Sequence, residues 1–125
     1  MTKYQNSKQY DLEKRPLNFA RRVRGFIKKL PKSIANFEDF KQLARSPGSV
    51  GANYIEANEA LSKKDFLHRI KICRKEAKES IYWLKLIGMT DDKSSSNERE
   101  KLVKEATELM HIFGAIVTRT RNPNP

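Results

Sequence analysis

The sequence predicts an all-α protein, an antiparallel up-down four-helix bundle with a kink or break in the second helix near Pro47. Three observations lead to this. Phe66, Ile70, Cys73, Ala77, Ser80, Ile81 and Leu84 recur at steps of three and four, the seam of left-handed bundle packing, and similar apolar faces mark three other stretches. Ser62 and Asp65 form the capping pattern S-K-K-D, which starts a helix immediately after a turn at Leu61 and Ser62. Before that turn, Ser46, Gly48, Ser49, Gly51, Ala52, Ala57 and Ala60 are all small, which lets another helix approach closely.

A chain of 125 residues is expected to form one domain, residues 1–125, with a modest core and no need of staples. Cys73 is the single cysteine and cannot pair within the chain, and no cleavable signal peptide is evident. A reducing cytoplasmic compartment is the expectation. No apolar run is long enough to span a bilayer, and the best candidate, Ile81 to Met89, is interrupted by Lys85 and Gly88.

Met1 to Tyr10 is polar and aperiodic, the composition of a mobile arm. Asp11 is a candidate N-cap for helix one, which is predicted to end near Lys29 or Leu30, before Pro31. At about 100° per residue, Leu12, Pro16, Phe19, Ala20, Val23, Phe26, Ile27 and Leu30 fall on one arc, a core face. Pro16 is tolerable only in the first turn, so the regular helix is expected from about Arg15. Helix two is predicted to start at Asn36, paired with Asp39. Its apolar side is Phe37, Phe40, Leu43, Ala44, Val50, Tyr54, Ile55 and Leu61, interrupted by Pro47 and Gly48. An interior proline removes a backbone hydrogen bond and clashes with the preceding turn, hence the kink, or two shorter helices.

Helix three is predicted over Lys63 to Ile87, with Gly88 ending it in a left-handed conformation. Ile72, Trp83, Leu86 and Ile87 project from a different side from the seam, and one seam cannot bury both sets. They are candidates for an oligomer interface with Trp83 as anchor; alternatively Trp83 covers a loop of its own chain. Thr90 to Ser96 reads as a polar loop and the place for disorder. Helix four follows, capped by Ser96 or Asn97, with Leu102, Val103, Ala106, Leu109, Met110, Phe113, Ile116 and Val117 on one face. Residues 121–125 form a tail that cannot stay helical past Pro123.

Lys and Arg number 26 against 15 Asp and Glu, and the excess is uneven. Residues 1–45 carry 12 basic and 4 acidic side chains, residues 63–87 carry 8 and 3, and residues 88–125 carry 6 and 6. No acidic residue occurs between Lys14 and Phe37, whereas an ordinary solvated face mixes both signs. The candidate nucleic-acid contacts are Arg21, Arg22, Arg24, Lys28 and Lys29 of helix one, supported by Lys71, Lys75 and Lys78 of helix three. Three readings of the helix-one stripe remain open: phosphate contact, an amphipathic membrane-surface helix, and a surface that is simply basic. The apolar arc is already explained by packing within a bundle, which counts against the membrane. Aromatic residues do not interleave with the stripe, so base stacking is not expected.

Signals for chemistry are absent or weak. His68 and His111 lie far apart, and His68 and Cys73 are five residues apart, on different sides of a helix, so no metal is expected. The stretch from Ser46 to Gly51 contains glycine but lacks the lysine of a phosphate loop, and close packing is the better reading. Arg45, Ser49, Asn53 and Glu56 share a stripe that a hairpin would bring near Arg74, Lys75 and Glu76, where paired charges would set helix register. No catalytic residue and no cofactor is expected.

The series RS.GSVGANYIEA, then A.SKKDFLHRIKI, then KEAKES.YWLKLI resembles the family of small four-helix-bundle proteins encoded in intervening sequences of bacterial 23S ribosomal RNA genes. The resemblance extends from Leu12 to about Thr118, and Pro47 departs from it where a helix-tolerant residue is expected. It implies a homo-oligomeric, pentameric bundle with no established catalytic activity. A more distant similarity, to the accessory variability protein of diversity-generating retroelements, implies a pentamer that binds a reverse transcriptase and nucleic acid. The combined expectation is a cytoplasmic, non-enzymatic homo-oligomer that binds nucleic acid, RNA in particular. The alternative is a protein-interaction adaptor, for instance for a reverse transcriptase, with no direct nucleic-acid role.

Overall fold

The computed structural model describes residues 11–89 and 92–122 as four helices, α1 (Lys14–Lys28), α2 (Ile34–Asn58), α3 (Lys63–Leu86) and α4 (Lys93–Arg121). The chain is an all-α four-helix bundle. Short connections make sequential helices antiparallel neighbours. α1 packs on α2 and α4, and α3 packs on the same two, so α1 and α3 stand on opposite corners. The expected arm and the end of the tail fall on residues 1–10 and 123–125, outside the described residues.

Each helix start has a local cause. Asp11 accepts from the Lys14 amide through Oδ1 (3.1 Å), one turn ahead of α1. Ser62 caps α3 by accepting from the Asp65 amide (3.1 Å), as the capping pattern predicts. Two expected starts move. α2 begins two residues early because Ser33, not Asn36, is the cap, accepting from the Asn36 amide at 3.1 Å. α4 begins at Lys93 because the Asp92 carboxylate accepts from the Ser95 amide and hydroxyl (both 2.8 Å), so residues 93–96 are helical and not part of a loop. At the other end α4 runs through Arg121, with Thr120 buried.

α2 continues through Pro47 instead of dividing into two helices. The proline ring is buried towards α1, and the apolar contacts on either side of it, through Leu43 and Val50, hold the flanking turns in place. The small residues of α2 face two ways. Ser46 meets α3, its hydroxyl 2.9 Å from that of Ser80, and the Cys73 thiol donates to the Val50 carbonyl at 3.4 Å. Gly48, Gly51 and Ala52 face α1 instead. The core draws on all four helices, including Phe26 of α1, Leu43, Val50 and Tyr54 of α2, Ile70 and Leu84 of α3, and Leu109, Phe113 and Val117 of α4.

Gly88 does not adopt the left-handed conformation expected of it; no glycine among the described residues has positive φ. α3 ends because Ile87 is extended (φ −63°, ψ 138°), and the glycine is needed for proximity. A Cβ at Gly88 would lie 2.9 Å from Asn36 Oδ1. Asn36 is buried here, donating to the carbonyls of Pro31 (2.9 Å) and Gly88 (3.1 Å) and accepting from the Gly88 amide (3.0 Å).

Candidate nucleic-acid interface

The outward side of α3 follows from its winding. Lys64, His68, Lys71, Lys75 and Lys78 recur at steps of three and four, opposite the buried Ile70, Cys73, Ala77 and Leu84. Across from them α4 presents Met110, His111, Gly114, Ala115 and Thr118. Together with Lys71, Arg74, Lys75 and Lys78 these residues line an open groove of about 730 Å³. A second hollow, lined by Lys63, Lys64, Leu67, His68 and Lys71, meets it at Lys71. The two make a basic track from Lys63 to Lys78, roughly 22 Å long at the α-helical rise.

No carboxylate lines either part of the track. Of the three acidic residues of α3, Glu76 and Glu79 are turned towards α2, where Arg45 holds them at 3.1 Å and 3.2 Å, and Asp65 lies in the first turn at the Lys63 end of the track. Among the described residues the ion pairs involve Arg15, Lys41 and Arg45, so the cations of the track are left to solvent. Gly114 keeps the floor low: a Cβ there would sit 3.7 Å from Arg74 Cδ.

Lys71, Lys75 and Lys78 therefore share one surface, and they gain Arg74 and His111, which helical spacing alone does not place there. Arg74 was expected beside α2 with Lys75 and Glu76. Only Glu76 faces α2, because Arg74 and Lys75 lie on the side of α3 turned towards α4. Tyr82, one turn beyond Lys78 and 59% exposed, adds an aromatic ring at the end of the track. The spacing Lys71, Lys75, Lys78, Tyr82 was the available signal. Arg21, Arg22, Arg24 and Lys28 are carried by α1, Lys29 is its C-cap, and α1 stands diagonally across the bundle from α3. The fold does not merge them with the track.

The proposed interface set also divides. Ile87 is 2% exposed within the single chain and belongs to the core. Winding agrees with this and not with an outward position: Ile87 lies three residues after Leu84 and seven after Ser80, on the seam side of α3. Trp83 is half-buried against the core, its ring 5.1 Å from that of Tyr82 and nearly perpendicular to it. Ile72 is half-buried, and Leu86 is 49% exposed. A separate, mainly apolar hollow of about 610 Å³ lies between α1 and α2, bordered by Leu17, Gly48, Gly51 and Ile55.

Cys73 is buried, and desolvation pushes its thiol up to about 12. Among the described residues no group of three or more His, Cys, Asp or Glu side chains is placed to hold a metal ion. No described helix is long and apolar enough to cross a membrane.

Comparison with curated proteins found none that matches this chain. Among solved structures, a protein of unknown function of the S23 ribosomal protein family from Bacteroides thetaiotaomicron is similar, with 32% identity and a TM-score of 0.72 over 85% of this chain and 97% of the other. The profile of the 23S rRNA-intervening sequence protein family matches residues 8–115. With the motif series, the four-helix architecture and the profile in agreement over nearly the whole chain, the protein belongs to the 23S rRNA-intervening sequence protein family.

Proposed function

We propose that the protein is a non-enzymatic, self-associating nucleic-acid-binding bundle of the cytoplasm, with RNA as its main ligand. The observation that carries this reading is the track from Lys63 to Lys78, which occupies most of the length of α3, is lined by cations and is free of carboxylates. A phosphate backbone is the ligand such a surface suits, because each neutralised phosphate releases counterions. Arg21, Arg22, Arg24, Lys28 and Lys29 form a second basic surface on α1. Binding is electrostatic and nearly independent of sequence, since phosphate contacts position without specifying. Titration of a short RNA duplex at increasing salt tests this. A linear fall of log affinity with log salt is expected, and salt-insensitive binding, or none at low salt, overturns it.

A second reading, an adaptor for another polypeptide such as a reverse transcriptase, draws on the apolar hollow between α1 and α2. Replacing Lys71, Arg74, Lys75 and Lys78 by Gln separates the two. Loss of RNA with retention of a co-purifying protein favours the adaptor.

A further inference from the structure

The two basic surfaces point in opposite directions, and their separation has consequences for what one molecule can hold. α1 carries six cations and no carboxylate, and α3 carries eight against three. The helices between them do not join these fields. α2 has three carboxylates (Glu38, Asp39, Glu56) and two cations, and α4 interleaves four carboxylates with six cations, Glu105 and Glu108 pairing with Arg15 at 2.6 Å and 3.3 Å, so each mixes both signs. Neighbouring helix axes lie about 8–10 Å apart, so the outer faces of diagonal helices are roughly 22–25 Å apart. That is about three Debye lengths at physiological salt, so occupation of one face scarcely repels a ligand from the other.

A nucleic-acid duplex cannot reach both. DNA has a persistence length of about 150 bp, and folding a duplex back around a body this narrow is prohibitive. A single strand could wrap, but single-strand sites use aromatic platforms, and the α1 face offers only Leu17, Asn18 and Gly25 between its cations. We propose that the protein is bivalent for duplex nucleic acid, holding one duplex on the α1 face and a second on the α3/α4 track, and so bridges two duplexes. This rests on the nucleic-acid reading above and adds the geometry of the assembly to it.

The test immobilises a duplex RNA of about 25 bp, long enough to cover one face, on beads and measures recruitment of a second, fluorescent duplex by the full-length protein. Recruitment is expected to rise and then fall as protein exceeds duplex, because excess protein occupies each duplex singly. Two variants assign the faces, each made in a Leu86→Glu background so that one molecule carries a single copy of each face: Arg21, Arg22, Arg24, Lys28 and Lys29→Gln on α1, and Lys71, Arg74, Lys75 and Lys78→Gln on the track, with circular dichroism to verify helicity. Each should still bind one duplex and lose recruitment at least about tenfold. Binding of one duplex without recruitment by the unmodified protein overturns bivalency and leaves the nucleic-acid reading intact. Recruitment that survives neutralisation of one face in that background also overturns it, since two duplexes would then not need both faces. No duplex binding at low salt overturns both.

Discussion

Asn36 joins two connections that meet at one end of the bundle. Its amide serves the carbonyls of Pro31 and Gly88 and the Gly88 N–H, within 3.1 Å in each case. Asn36→Ala leaves those groups partly buried and without partners, and should destabilise the fold by about 2–3 kcal/mol in urea unfolding. Gly88→Ala should cost about 1–2 kcal/mol by driving Asn36 off its position, and less when added to Asn36→Ala. Cys73 makes a second prediction. Its thiol is held up to about 12 by burial, against about 8.5 in an unfolded chain. Between these values the unfolded state gives up a proton that the native state keeps. The contribution is therefore complete below about pH 8.5 and is lost as pH rises towards 12. Native protein at about pH 7.5 should resist a thiol reagent that labels it promptly in urea.

At the scale of elements, the register between α2 and α3 rests on Arg45, which donates to both oxygens of Glu76 (3.1 and 3.2 Å) and to Glu79 (3.2 Å). Arg69 adds a bond to Asn53 at 3.0 Å. The ion pair is lopsided: the Glu76 side chain is 8% exposed and that of Arg45 is 47% exposed. Arg45→Met strands a buried carboxylate and should destabilise by about 2–3 kcal/mol, whereas the double variant with Glu76→Met should recover most of the loss. Denaturant midpoints across this double-mutant cycle check the coupling. The same pair also bears on the basic track, because Arg45 offsets the charge of Glu76 and Glu79 on the side of α3 facing α2. Glu76 and Glu79 freed from Arg45 would soften the positive field on the other side of the helix.

For the whole molecule, the net charge of +11 is concentrated on two corners of the bundle. Neutralising Lys71, Arg74, Lys75 and Lys78 should flatten the log–log salt slope of RNA binding by about 2–4, as expected at roughly 0.7–0.9 for each phosphate that is no longer neutralised. Self-association is tested at Leu86 in preference to Trp83. Trp83 is half-buried against the core, so a charge there would damage the subunit, whereas Leu86 is 49% exposed at the end of α3. Light scattering of the unmodified protein should give a mass above the 14.5 kDa of one chain, and Leu86→Glu should lower it while retaining helicity. A clean monomer at micromolar concentration removes the oligomer from the proposal.

Periodicity determined the number of helices, their core faces and the Ser62 cap, because a spacing of three and four along one helix is a local property of the chain. It equally placed Lys71, Lys75 and Lys78 on one side of α3. What winding could not reveal is which neighbour each side meets. That required the order of helices around the bundle, which put Arg74 beside His111 and Gly114 and set α1 on the far corner from the track. Helix ends escape local spacing for a related reason. Asn36 looks like a cap by composition, but Ser33 already supplies one, and the Asn36 amide is taken by Gly88, 52 residues away. Ile87, by contrast, continues the seam three residues after Leu84 and seven after Ser80, so its burial was legible in the spacing. Local spacing specifies a face; only tertiary packing decides whether that face meets the core, a neighbouring helix or water.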